Sequence, residues 1–85
     1  MCGIIGINSN KSVSATIINS LKKLEYRGYD SAGIATLSNG LINEVKSEGR
    51  VNNLEKNSLV QSMEGTIGIG HVRWATHGLP NSINA

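Results

Sequence analysis

The 85-residue sequence has one cysteine, one proline and no phenylalanine, and aromatic residues make up only 4 % of it. A single cysteine excludes an internal disulfide, and with two histidines the chain lacks a convincing zinc-ligand set, so we expect no metal or other cofactor. No apolar run approaches the roughly 18 residues of a membrane span, and no basic-then-apolar leader is present. We therefore expect no membrane association and a reducing, cytoplasmic location.

Charge of one sign is also scarce. The formal net charge is +2, from eight Lys and Arg against six Asp and Glu, and the basic residues are dispersed. Without a basic stripe, nucleic acid is not expected as a partner. Hydrophobic residues at 39 %, together with ten glycines, are typical of a globular chain and exclude a disordered tail. The length allows one domain at most, with an almost wholly aliphatic core.

Hydrophobic periodicity predicts the first half of the fold. Gly3 to Ile7 is an Ile-rich run typical of a buried strand. The next apolar residues recur at spacings of three and four, which predicts a helix over about residues 12–25. The Asn39-Gly40 pair separates two β-prone runs, 32–37 and 41–45. This predicts a hairpin because both turn positions favour positive φ.

The second half of the chain is predicted to add a helix and a strand. The helix begins near Asn52, with Glu55 three residues on in a capping arrangement, and ends at Gly65. Its inward residues are predicted to be Leu54, Leu59 and Met63. Thr66 to Val72 alternates β-branched residues with glycine and predicts a strand. The order strand–helix–hairpin–helix–strand favours an α+β fold with helices stacked on an antiparallel or mixed sheet.

Cys2 is the first candidate for chemistry. If Met1 is removed, as a small second residue usually permits, Cys2 carries a thiol and a free α-amine together. An α-amine has a reference pKa of about 7.7–8.0, so an unprotonated fraction can accept the thiol proton without any histidine. The alternative is a small hydrophobic residue beside the first strand, which is the commoner role of an isolated cysteine.

Arg73 and His77 lie in a segment dense in polar and aromatic residues, which is typical of a binding loop. A guanidinium presents a planar set of donors that matches a carboxylate bidentately, so Arg73 is suited to binding a substrate carboxylate. The alternatives are a salt-bridged surface arginine and, for His77, a loop histidine with hydrogen-bonding duties instead of a general base.

Three blocks of this sequence resemble the class II glutamine amidotransferases. They are MCGIIG at 1–6, LEYRGYDSAG at 24–33 and HVRWATHG at 71–78, in the order in which the family has them. The second and third blocks favour the branch that supplies ammonia to fructose 6-phosphate and makes glucosamine 6-phosphate. The related amidophosphoribosyltransferase branch typically has a His-Arg-Gly-Gln type second block and Arg-Tyr-Ser/Thr in the third.

The resemblance implies a glutaminase reaction with glutamine as substrate. Cys2, after loss of Met1, would attack the side-chain amide carbon of glutamine, form a γ-glutamyl thioester and release ammonia, and water would then free glutamate. Arg73 would hold the substrate α-carboxylate.

The resemblance also assigns residues around the nucleophile. Trp74, Thr76 and His77 would belong to a loop that closes over glutamine and shields the thioester from bulk water. Arg27 and Gly28 would lie in a loop that packs near the N-terminus and orders the site.

The fold implied is that of an N-terminal nucleophile (Ntn) hydrolase, an αββα sandwich in which two antiparallel sheets lie between helix layers. The predicted elements match its first quarter to third. The family's glutaminase domain is more than twice as long and is followed by two sugar isomerase domains. Residues 1–85 are therefore expected to be the N-terminal portion of the amidotransferase domain, without its remainder.

An alternative function follows from what that remainder carries. The family's oxyanion hole uses an Asn-Gly pair, and an Asp receives the substrate α-amine, both beyond residue 85. Asn39-Gly40 is better explained as a turn. Loss of one oxyanion donor costs about 2.7–4 kcal/mol of transition-state stabilisation. The alternative is thus a catalytically inactive remnant or split-gene fragment, at most an interaction piece needing a complementary chain.

Overall fold

One antiparallel sheet with helices on one side makes up the part of the chain that the computed structural model describes, residues 2–25 and 30–74. In chain order the elements are β1 (Gly3–Asn8), α1 (Ser14–Leu24), β2 (Ser31–Ser38), β3 (Leu41–Glu48), α2 (Val51–Glu55), α3 (Ser58–Gln61) and β4 (Ile67–Arg73). The strand order across the sheet is β1-β4-β2-β3, and every neighbouring pair is antiparallel. The predicted α+β class is confirmed.

The hairpin joins β2 to β3 where the sequence predicts it. Asn39 and Gly40 both have positive φ, 53° and 76°, which matches the right-handed twist of the flanking strands. The register pairs Ser38 with Leu41 and Ser31 with Glu48. The second strand of the hairpin is longer than predicted, because backbone pairing with β2 continues past Val45 into a polar stretch.

Helix α1 packs against β4 at unusually short range. Its buried face consists of Ile17, Ile18 and Leu21, at the predicted helical spacing. Opposite them, a Cβ added to Gly68 or Gly70 would lie 2.8 or 2.4 Å from side-chain carbons of Ile17. These glycines therefore let the helix approach the strand backbone closely. With 11 residues α1 is the longest described helix, and no helix among the residues described has the length and apolar character needed to cross a membrane.

The predicted second helix is instead two short helices, α2 and α3. Asn57 separates them, because its side-chain oxygen accepts the Leu59 N–H at 2.9 Å and so begins a new helix as its N-cap. Leu59, predicted to face inward, is 65 % exposed. Leu54 and Met63 are buried as predicted.

The N-terminus of α2 also differs from the prediction. Its N-cap is Arg50, whose side chain makes no capping hydrogen bond, so the capping arrangement of Asn52 with Glu55 is wrong. A residue at the end of α1 takes the place of this missing cap: a carboxylate oxygen of Glu25 accepts the N–H of Val51, the first residue of α2, at 2.7 Å. This contact ties the two helices together through a tertiary interaction that local sequence spacing does not reveal.

The sheet has one covered and one open face among the described residues. Side chains on the covered face meet the helices and form the core, which includes Val13, Ile17, Leu21, Ile34, Val51, Leu54 and Val72. On the open face, five large aliphatic side chains are 43–76 % exposed: Ile4, Leu37, Ile42, Ile67 and Ile69. Strand alternation places them together, since cross-strand partners share a face.

Candidate active site

The register of β1 against β4 brings the two main candidates together. Gly3 pairs with Val72, so one step further along the two strands Cys2 lies beside Arg73. Both residues line a cleft of about 550 Å³ at the β1–β4 end of the open face, together with Gly3, Ile4, His71 and Val72. Cys2 is exposed. The structure thus places an accessible thiol and a guanidinium in one cleft.

Arg73 is held at this cleft by contacts at the end of the sheet. Its guanidinium lies 4.0 Å from a carboxylate oxygen of Asp30, and both side chains are largely buried, 17 % and 15 % exposed. The Arg73 carbonyl accepts the Asp30 N–H at 2.7 Å. The arginine is therefore ion-paired, as the salt-bridge alternative expects, and it is also oriented where a carboxylate in the cleft can reach it.

Asp30 is a residue of this site that the sequence analysis did not single out. Its carboxylate accepts the Ser31 hydroxyl at 2.9 Å, and its carbonyl accepts the Gly49 N–H at 2.7 Å. One residue thereby joins the ends of β2, β3 and β4. An acidic residue directly before a strand is the signal in the sequence, but the contacts with Gly49 and Arg73 come from tertiary structure.

His71 also lines this cleft, although the sequence pattern pointed to His77 instead. It lies two positions before Arg73 on β4, so both side chains share the open face. Burial lowers the pKa of His71 below 6.5, the positive charge of Lys46 lowers it further, and Arg73 adds to this against an opposing effect of Glu44. The imidazole is therefore neutral at pH 7, and its period-two spacing from Arg73 is the signal that could have found it.

Of the remaining predicted site residues, only Trp74 lies in the part of the chain that the structure describes. Trp74 follows β4 directly and is 49 % exposed. Arg27, Gly28, Thr76 and His77 lie outside the described residues, and their roles stay predictions. Among the residues described, no three His, Cys, Asp or Glu side chains are grouped so that they could hold a metal ion.

Asn39 and Gly40 are remote from the cleft. They form the turn at the end of the sheet where Leu37 pairs with Ile67, whereas Cys2 is at the other end, next to the pair of Gly3 and Val72. The turn interpretation of this dipeptide is confirmed by its backbone angles. A further cleft of about 480 Å³ lies beneath the same hairpin, and its lining includes neither a cysteine nor a cation.

Curated relatives match the chain over its whole length. Over 85 residues, the chain is 53 % identical to a glutamine–fructose-6-phosphate aminotransferase of Mesorhizobium japonicum, 56 % to that of Brucella abortus and 53 % to that of Clostridium acetobutylicum. The match covers 100 % of the chain and the N-terminal 14 % of each relative. The chain therefore spans about one seventh of the length of these relatives. No protein-family model matches it.

Solved structures share the fold. A glutamine phosphoribosylpyrophosphate amidotransferase from B. subtilis superposes with a TM-score of 0.78 at 26 % identity, over 91 % of this chain and 17 % of that one. An allosteric regulatory enzyme of purine biosynthesis gives a TM-score of 0.79 at 26 % identity, over 89 % and 16 %. The chain is therefore similar to class II glutamine amidotransferases, and its structure has part of their Ntn-hydrolase fold.

The relatives also indicate the branch of the family. Identity to the glutamine–fructose-6-phosphate aminotransferases is 53–56 %, about twice the identity to the structures of the purine branch. Over its length the chain is thus similar to the N-terminal portion of the glutamine–fructose-6-phosphate aminotransferases, as its second and third sequence blocks predict.

Proposed function

We propose that this chain supplies the nucleophile and the carboxylate anchor of a glutaminase site that releases ammonia for the amination of fructose 6-phosphate. The observation that carries the proposal is the shared cleft of Cys2 and Arg73 on the open face of the sheet. One glutamine placed in that cleft meets a thiol at its side-chain end and a guanidinium at its amino-acid end. The high identity to glutamine–fructose-6-phosphate aminotransferases supports the choice of sugar.

The proposed reaction begins with removal of Met1. The free amine of Cys2 takes the thiol proton, and the sulfur attacks the amide carbon of glutamine to give a tetrahedral intermediate. The proton then passes to the amide nitrogen, the carbon–nitrogen bond breaks, and ammonia leaves a γ-glutamyl thioester. Water attacks the thioester carbonyl, the carbon–sulfur bond breaks, and glutamate and the thiol are formed. We place this reaction in the cytoplasm, where a reducing environment keeps the thiol free.

Arg73 is proposed to bind the α-carboxylate of glutamine. Its guanidinium is oriented by Asp30 and is largely shielded from water, and reduced exposure strengthens a charge-assisted hydrogen bond. Trp74, at the end of β4, is proposed to begin the covering segment, to which Thr76 and His77 would also belong. Arg27 and Gly28 are proposed to order the site.

Covalent labelling tests the proposed pair. A diazo-ketone analogue of glutamine should form one adduct per chain at Cys2, detected by intact mass, which also shows whether Met1 is removed. Arg73→Ala should slow labelling by the analogue about 10- to 100-fold, the value of a hydrogen bond to a charged group, while labelling by neutral iodoacetamide stays unchanged. Arg50→Ala is the matched control, because Arg50 pairs with Glu25 away from the cleft.

Three results would contradict the proposal. Retention of Met1 would exclude the amine as base. Labelling of Cys2 at the rate of an unfolded cysteine peptide would show that no site assembles. Equal effects of Arg73→Ala and Arg50→Ala would exclude Arg73 as the carboxylate anchor.

The remainder of the amidotransferase domain is proposed to complete this site by covering the open face, either as further sequence or as a complementary chain. The exposed aliphatic side chains of that face support this, since buried apolar contacts are what two packed sheets require. The short share of the relatives' length that the chain spans supports it as well. The proposed partner surface is therefore a second β-sheet with an apolar inner face.

Co-expression tests this completion. The chain is expressed with the portion of the Brucella abortus relative that lies beyond its first 14 %, and we expect a complex that releases glutamate from glutamine. Ile42→Lys with Ile69→Lys should abolish the complex. Leu59→Lys is the matched control, because this leucine is equally exposed but lies on the helix side. A wild-type chain that neither forms the complex nor releases glutamate would favour the inactive remnant.

A further inference from the structure

Gly33 and His71 occupy the same space on the open face. They are cross-strand partners, and a Cβ added to Gly33 would lie 2.5 Å from Nε2 and 3.1 Å from Cδ2 of His71. The imidazole ring of His71 therefore extends from β4 across the Gly33 backbone. Only a residue without a side chain leaves this space, since real Cβ atoms do not approach ring atoms so closely.

The surroundings of the imidazole explain its direction. On the β1 side its cross-strand partner is Ile4, and beyond Gly33 lies Lys46 of β3, whose Cγ would be 3.1 Å from the same added Cβ. The ring thus fills the glycine position between two larger side chains. The charged groups facing it are Lys46 and Glu44 from β3 and Arg73 from its own strand. Cys2 and His71 both line the cleft.

We propose that Gly33 is a positioning residue of the candidate site, which acts through His71 by giving its ring a place outside the path from the Cys2 sulfur to the Arg73 guanidinium. Any side chain at position 33 displaces the ring, and because His71 already lines the cleft with Cys2, Ile4 and Arg73, that cleft is a space open to it. The displaced ring then obstructs a bound amino acid. This inference rests on the proposed function, because it concerns the same cleft.

The rates at which two reagents of similar size alkylate Cys2 test whether the space between the thiol and the Arg73 guanidinium is open. Iodoacetate carries a carboxylate and iodoacetamide does not, so the ratio of their rates reports attraction by Arg73. Relative to an unstructured Cys-Gly-Ile peptide, the ratio for the wild-type chain should rise about fivefold, the effect of one opposite charge near 4 Å in water. Arg73→Ala should remove this rise.

Gly33→Ala should lower the ratio to that of the reference peptide, and His71→Trp should do the same because the larger ring exceeds the space over Gly33. The double variant Gly33→Ala with His71→Ala should restore the wild-type ratio, because no ring remains to be displaced. A structural defect at position 33 would not be rescued in this way. Gly6→Ala is the matched control, since its added Cβ has only Ile69 Cγ2 near it, at 3.8 Å.

The outcomes separate this inference from the proposed function. A wild-type ratio equal to that of the reference peptide overturns both. An elevated wild-type ratio that survives Gly33→Ala and His71→Trp overturns the role of Gly33 alone. Loss in Gly33→Ala without recovery in the double variant also overturns it, because the effect then does not pass through His71.

Discussion

The two faces of the sheet are built from similar aliphatic residues that lie in opposite surroundings. Ile17 and Ile34 on the covered side are at most 2 % exposed, whereas Ile4 and Ile42 on the open side are about three quarters exposed, 76 % and 74 %. The covered face accounts for the apolar burial that drives folding of the described residues. The open face carries the thiol, the guanidinium and the exposed apolar surface, so binding and chemistry are expected there.

The open face itself changes character along the strands. At the hairpin end the cross-strand row is apolar and consists of Ile67, Leu37 and Ile42, whereas the row nearest Cys2 contains Arg73 and Ser31. A layer that covers this face would therefore contact apolar side chains at the hairpin end and polar side chains at the end nearest Cys2. This arrangement lets one surface serve both packing and substrate binding.

The largest effect is expected from truncating a covered isoleucine. Ile17→Ala should lower the free energy of unfolding by about 2–5 kcal/mol, because it leaves a cavity between α1 and β4. Ile4→Ala, the same change on the open face, should alter it by less than about 0.5 kcal/mol. Urea denaturation followed by circular dichroism measures both. Equal losses would show that the two faces contribute alike in the isolated chain.

A glycine pair sharpens the same comparison. Gly70→Ala should destabilise the chain by about 1–3 kcal/mol, because its Cβ would lie 2.4 Å from Ile17 Cγ2 and push α1 off the sheet. Gly6→Ala adds the same methyl group to the open face of β1, where space is available. Thermal denaturation should therefore separate the two variants. A Gly70→Ala chain as stable as Gly6→Ala would contradict the close packing of helix and strand.

Removal of a buried hydroxyl tests how much a hydrogen bond on the covered face contributes to the free energy of unfolding. Thr36 is 2 % exposed, and its hydroxyl donates to the Glu64 carbonyl at 2.7 Å. Thr36→Val keeps the shape but removes the donor, and should cost about 1 kcal/mol in urea denaturation. Thr66→Val, at an exposed position, serves as the reference. Similar midpoints for the two variants would show that this hydrogen bond adds no net stability.

The smallest effect is a pH dependence from the open face. Burial, Lys46 and Arg73 lower the pKa of His71 below 6.5, so the unfolded chain binds a proton at a higher pH than the folded chain does. The contribution of His71 to the free energy of unfolding is therefore fully present above pH 6.5, and it is lost as the pH falls through the lowered pKa of the folded chain. The urea midpoint should decline over that window, and less so in His71→Gln. Parallel declines in both chains would rule out His71 as the cause.

Much of the fold could be predicted because its signals are local. The three- and four-residue spacing of α1 and the Asn-Gly turn involve neighbours in sequence, and both predictions are confirmed. The second helix was mispredicted, because the Asn57 cap and the Glu25 carboxylate replaced the expected capping arrangement. A competing cap a few residues away is enough to divide a short helix.

The candidate site was predictable in its residue types but not in its neighbours. Cys2 and Arg73 stand out by their chemistry and by the family resemblance. Asp30, His71 and Gly33 do not, because each acts through residues on another strand. The spacing of Asp30 and His71 relative to the strands is a weak signal, but their partners depend on the pairing of β2 with β4, which local sequence does not specify.

The amino-acid order alone determined where the first helix and the hairpin form, and which family the chain resembles, since these depend on patterns within short stretches. Only the tertiary structure decided the strand order β1-β4-β2-β3, and with it the meeting of Cys2 and Arg73 in one cleft. The reason is physical: cross-strand hydrogen bonds and the packing of α1 on Gly68 and Gly70 act between distant segments, and they exist only once the chain has folded.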